Sequence, residues 1–157
     1  MTDQTALRQH VLELLDGRSA HIDLETAIRG FPMNLINERI EGTPHSPWEL
    51  LEHLKIAQWD ILEFCRSGGH VSPEFPDGYW KLGIASVNEW QQSAEQISAD
   101  LESMRGMVAD TGNDLFAPLP HGTGQTLLRE ALLVADHNSY HLGQLMQLKK
   151  TLEAQTR

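Results

Sequence analysis

"TLLREALLVADHNSYHLGQLMQLKKTL", residues 126–152, holds no proline and is apolar over much of its circumference. Leu127, Leu128, Ala131, Leu132, Val134, Ala135, Leu142, Leu145 and Leu148 supply that surface. A helix apolar on so many sides has to be covered by others. The longest unbroken apolar runs, such as "ALLVA" at 131–135, are too short to cross a bilayer. Within this helix His137 and His141 are four residues apart, which places them about 40° apart on one face. They fall on the stripe Val134, His137, His141, Leu145, Leu148, at positions otherwise given to core side chains.

Working outward, three further long helical patterns precede this one. The spacing predicts a first helix over about 3–16, with Leu7, Val11, Leu14 and Leu15 as its stripe and Gly17 after its end. A short piece over about 23–30 ends before "GFP". "SPWE" opens the second long helix, with Ser46 as N-cap, Pro47 at the first turn and Glu49 completing a capping box. It runs to about Ser67, and Gly68 and Gly69 offer a left-handed end. Its inward stripe is Leu50, His53, Leu54, Ala57, Ile61 and Phe64. A third helix begins at Ser86, capped with Glu89, and carries Val87, Trp90, Ala94, Ile97, Leu101, Met104 and Val108 at alternating spacings of three and four. Strand-like alternation is absent. The fold expected is all-α, one four-helix bundle over 1–157, with long loops before the third and fourth helices.

Composition narrows the functions open to it. With 22 acidic against 12 basic residues the formal charge is −10, and no basic cluster offsets it, so nucleic acid is disfavoured as a partner. No secretory signal is readable, and the single cysteine, Cys65, suits a reducing compartment. A cytoplasmic protein without membrane attachment is the expectation.

His53 interrupts the second-helix stripe as His137 and His141 interrupt the fourth. A buried imidazole without a partner costs about 1–3 kcal/mol, so three inward histidines need a common reason. One is a divalent ion held by three nitrogens with a position left open. The other is that each is satisfied by backbone carbonyls, carboxylates or its fellows. If the two helices run parallel, His53 and the midpoint of His137 and His141 stand at similar depth; an antiparallel pair can match them too. Asn138 occupies the place of the glutamate in the zinc-protease HExxH, and no inward Glu-x-x-His pair recurs as in di-iron bundles.

"SPWELLEHLKIAQWDI" (46–61) and "ADHNSYHLGQLMQLKK" (135–150), in this order, resemble the DinB/YfiT-like superfamily of metalloenzymes over essentially the whole chain. The resemblance implies a four-helix bundle, often a homodimer, binding a divalent ion (nickel, zinc or iron) through His53, His137 and His141. Some relatives use a low-molecular-weight thiol, as in bacillithiol and mycothiol S-transferases and maleylpyruvate isomerase. The expected function is therefore metal-dependent transferase or hydrolase chemistry on a small molecule, with water or a thiol activated at the ion. The rival is a non-catalytic metal-binding or stress-associated interaction protein.

Glu130, two turns before His137 on the same stripe, is a candidate general base. Glu49 is spaced to orient His53, although its capping box competes. Gln144 is placed to face the site from three residues after His141. Asp136 and Asn138 are expected to be solvated, as are His45 and His121 in their loops. His10, His21 and His70 show no partner pattern. Trp59, Tyr79, Trp80 and Trp90 are expected to pack the bundle, with Trp90 a possible apolar wall of the site.

Overall fold

The structure, a computed structural model, describes residues 3–156. Its helices are α1 (Asp3–Asp16), α2 (Leu24–Arg29), α3 (Pro47–Arg66), α4 (Val87–Ala109) and α5 (Leu127–Gln155), with single 3-10 turns at Met33–Leu35 and Asp77–Tyr79. Among the described residues there is no strand, only an isolated bridge between Pro118 and Thr126. No helix is long and apolar enough to cross a membrane among the described residues.

Local chemistry accounts for the helix ends. Ser46 and Ser86 each accept from the backbone N–H of the third helical residue, and Glu49 and Glu89 return the bond to the cap. Thr126 caps α5 through the N–H of Arg129. Gly17, at φ +68°, turns the chain out of α1 in the left-handed region. The end of α3 departs from expectation. Ser67 leaves the helix in an extended conformation, and Gly68 instead lets the 121 loop approach, since a Cβ there would stand 3.0 Å from that of His121. Arg8, buried on α1, donates to the carbonyls of Val108 in the last turn of α4 and of Asp110 and Asn113 just beyond it.

Two core clusters give the helix directions. One joins Leu50, Leu51 and Leu54 from the start of α3 to Trp90 and Ile97 of α4 and to Leu142, Leu145, Leu148 and Leu152 of α5. The other joins Leu62 and Cys65 from the end of α3 to Leu101, Met104 and Val108 of α4, Leu127 to Ala135 of α5, and Val11 and Leu15 of α1. Thus α3 and α4 run parallel, and α5 runs antiparallel to both. The expected depth match between His53 and the α5 histidines is met in the antiparallel arrangement.

Three stripe assignments are corrected: Leu14, Val87 and Leu132 are exposed, each on the outer flank of a helix whose seam neighbours are buried. A parallel α3–α4 pair also imposes a long connection. α3 is about 30 Å long at 1.5 Å per residue, and residues 67–86 must bring the chain back along it before α4 can begin. That crossover builds much of the site.

Candidate metal centre

Seven residues into α3 and midway along α5, three imidazoles converge. His53 Nε2 lies 3.0 Å from His141 Nε2 and 3.1 Å from His137 Nε2. One ligand nitrogen from each falls within a common sphere of separations no larger than 4.8 Å. Nitrogens sharing one ion at about 2.0–2.1 Å stand roughly 3–3.5 Å apart, so the spacing suits a single divalent cation.

The far side of each ring decides which nitrogen faces the centre. His53 Nδ1 lies 3.0 Å from the carbonyl oxygen of Tyr79, which can only accept, so Nδ1 carries the proton and Nε2 presents its lone pair inward. His141 Nδ1 lies 2.7 Å from Gln144 Oε1 and donates to it, leaving its Nε2 in the same state. Two lone pairs 3.0 Å apart repel unless something positive lies between them. His137 Nδ1 is buried without a partner, so this ring has no carbonyl to satisfy it from behind. Among them the three rings can share at most one N–H across the centre, an acceptor surplus that a divalent cation satisfies. The donor set fits such an ion, and His53, His137 and His141 are the residues that could hold it.

Electrostatics point the same way. Burial holds His137 down to a pKa of about 4, with the His141 and His53 rings adding to the effect. Burial also lowers His53 and His141; the bonds to the Tyr79 carbonyl and to Gln144 oppose the shift, and His45 reinforces it. All three are therefore neutral and able to ligate at neutral pH.

The crossover supplies the walls. Trp80 is sandwiched between His45 and His53, with ring centroids 3.7 and 3.9 Å away and planes within 9° and 5° of parallel. Asp60, two turns after His53 on α3, accepts from the Tyr79 hydroxyl at 2.6 Å and lies 2.7 Å from His70 Nε2. The residue whose carbonyl orients His53 is thus fixed by its own side chain to the helix that carries His53. Gly83 N–H closes the same segment onto the buried carboxylate of Glu49, which also accepts from the Arg39 guanidinium of the preceding loop.

Several expectations change here. Tyr79 and Trp80 line the site, Trp80 while also packing against the first core cluster as expected, and His70 does have a partner, Asp60. His45 is half-buried against Trp80 instead of solvated, with Nδ1 lacking a hydrogen bond 3.7 Å from Glu49 Oε2. Asn138 is buried and donates to Gln58 Oε1 at 2.7 Å, tying α5 to α3 behind the histidines. Asp136 is exposed, as is His121, whose Nε2 lies 2.5 Å from the Phe64 carbonyl. Trp90 packs on Phe31 in the core with centroids 5.2 Å apart and is not a wall of the site. Glu49 serves the capping box and the crossover, not His53.

Glu130 is buried and paired with Arg129 at 2.6 Å, about 10 Å before His137 along α5 by helix rise. Its charge and burial together push the Cys65 thiol up to about 12, burial being the larger cause. Tyr79 and Trp80 escaped sequence reading because "GGHVSPEFPDGYWKLG" (68–83) has no periodicity, and Asp60 with them because its partners His70 and Tyr79 lie in that stretch. Its length was the one signal that it had a distance to cover.

Beside the triad lies a cleft of about 580 Å³ between the 40–45 loop, the start of α3 and the second half of α5, into which His45, Trp80 and His141 face.

A family model described as the DinB superfamily matches residues 18–145. Comparison with curated proteins and with solved structures gives no match.

Proposed function

This chain belongs to the DinB superfamily, and on that premise we propose that it is a metal-dependent enzyme acting on a small molecule in the cleft beside His53, His137 and His141. The observation that carries the reading is the inward-facing pair of lone pairs on His53 and His141, locked by Tyr79 and Gln144, beside an open cleft. A divalent ion bound there supplies Lewis acidity, lowering the pKa of a water or thiol enough for it to act as a nucleophile at neutral pH.

The chain's own residues do the rest. Tyr79 and Gln144 orient two of the imidazoles, and burial keeps all three neutral. His45 and Trp80 form a rigid aromatic wall that excludes water from one side. Cys65 supplies no nucleophile, since it is buried in the other half of the core with its thiol held protonated. Glu130 is the remaining candidate for proton transfer, by way of intervening water, given its distance along α5.

The homodimer and the cytoplasmic location belong to the same proposal. Support for a dimer comes from Val71, Phe75, Leu82 and Ile84, apolar side chains that the crossover leaves exposed.

Elemental analysis of untagged protein tests the reading, with His53→Ala and His137→Ala alongside. About one divalent ion per chain, lost in both variants while helicity is retained, is expected. Metal content unaltered by either substitution, or none after reconstitution, overturns it. Hydrolase and thiol-transferase assays on the loaded protein then separate water from thiol.

A further inference from the structure

The cleft beside the triad has a chemical character of its own. Ile40, Leu50, Trp80 and Leu148 make its walls; its polar groups are the amides and hydroxyl of Gln144, Gln147 and Thr151 along one edge of α5, the hydroxyls of Thr43 and Tyr140, and the imidazoles of His45 and His141. Among the described residues, no lysine, arginine, aspartate or glutamate lines it. The cations nearby in the fold are engaged elsewhere. Arg39 holds Glu49 and the Pro44 carbonyl, Lys81 lies 3.4 Å from Glu52 and over the Trp48 ring, and Lys149 donates to the Gly30 carbonyl at 2.7 Å. Both faces of Trp80 are already covered, so it offers a ligand a fixed edge rather than a stacking platform.

We infer that this cleft takes an uncharged, predominantly apolar organic molecule, an inference that names the substrate class for the site proposed above and so rests on that reading. Moving a carboxylate, phosphate or sulfonate into such a wall without a cation is strongly unfavourable, because nothing replaces the water it loses. The net charge of −10 opposes the approach of anions as well. An ionised group is tolerated only at the three histidines, where a bound cation would meet it; the rest of the molecule lies among Leu50, Leu148 and Ile40. Peptide-like thiols, which carry several ionised groups, are mismatched to this cleft. The volume is in the range that holds ligands of drug-like size.

The test uses two probes that share one ring system: N-phenyl-1-naphthylamine, which is neutral, and 8-anilinonaphthalene-1-sulfonate, which adds a sulfonate. Fluorescence titration of the 157-residue chain is expected to show the neutral probe binding at least tenfold more tightly. Leu148→Gln should weaken the neutral probe about fivefold or more. Gln147→Arg, on the exposed edge of α5, should strengthen the anionic probe about tenfold; circular dichroism checks that both variants keep their helices. Equal or tighter binding of the sulfonate, or neutral-probe binding that neither substitution alters, overturns the inference. Metal content measured on the same samples separates the two proposals. One ion per chain with a preference for the anion sinks the ligand class and leaves the metal reading standing. No ion, with the neutral preference and both variant effects present, sinks the metal reading and supports the ligand class.

Discussion

The carbonyl of Tyr79 accepts the Nδ1 proton of His53 at 3.0 Å, and the hydroxyl of the same Tyr79 donates to Asp60, which lies on the helix that carries His53. One crossover residue is therefore fastened twice to α3, at points two turns apart. The backbone attachment sets the tautomer of His53, and the side-chain attachment sets where that backbone lies. Trp80, the next residue, is delivered onto the His53 ring as a consequence.

Breaking that attachment should be felt at the metal before it is felt in the fold. Asp60→Ala removes both the Tyr79 and His70 contacts, and competition with a chromophoric chelator should show metal affinity falling about 10- to 100-fold, as for other groups that orient ligands. Tyr79→Phe leaves the carbonyl and the His70 contact in place, so its loss should be smaller, within about tenfold. Unaltered affinity in Asp60→Ala would remove the orienting role.

The lowered histidine pKa values give the metal-stripped protein a defined acid sensitivity. The unfolded chain takes protons on these histidines near pH 6.5, whereas the folded chain resists until about pH 4 at His137. Between those values the unfolded state binds more protons on these histidines, so their contribution to stability falls as pH is lowered through 6.5, and that of His137 is fully lost below about 4. Thermal unfolding across this window should slope more steeply for the metal-stripped wild type than for His137→Leu. Parallel slopes would mean that the imidazoles are not held neutral by the fold.

Cys65 should behave as a core residue. With its thiol pushed up to about 12 and 7 % of its surface exposed, alkylation by iodoacetamide at pH 8 should proceed only as fast as the protein opens. Rapid labelling of the native chain would contradict this placement.

Arg8 tests the far end of the bundle. Its guanidinium bonds three carbonyls at and beyond the end of α4, and removing it takes away the side-chain donor to the buried Val108 carbonyl. Arg8→Ala should cost about 2 kcal/mol in urea denaturation while leaving metal content as it was. Loss of metal in this variant would show that the two ends of the bundle are coupled.

Periodicity and cap chemistry made the helices legible in the sequence: Ser46 with Glu49, Ser86 with Glu89 and Gly17 stand where their side chains or φ angle require. The inward placement of His53, His137 and His141 was legible for the same reason, since a position on an apolar stripe depends only on spacing along one helix. Helix direction was not, because an amphipathic stripe packs equally well up or down. That α3 and α4 run parallel is a property of the assembled core. It follows only from this packing that residues 67–86 return along α3, that Tyr79 and Trp80 meet His53, and that Asp60 and His70 find partners. Asn138 and His45 acquire their neighbours in the same way, across helices and loops far apart in the chain. The histidine triad is written in short-range spacing. The groups that orient and wall it are long-range, and contacts of that kind exist only once the helices have chosen their directions.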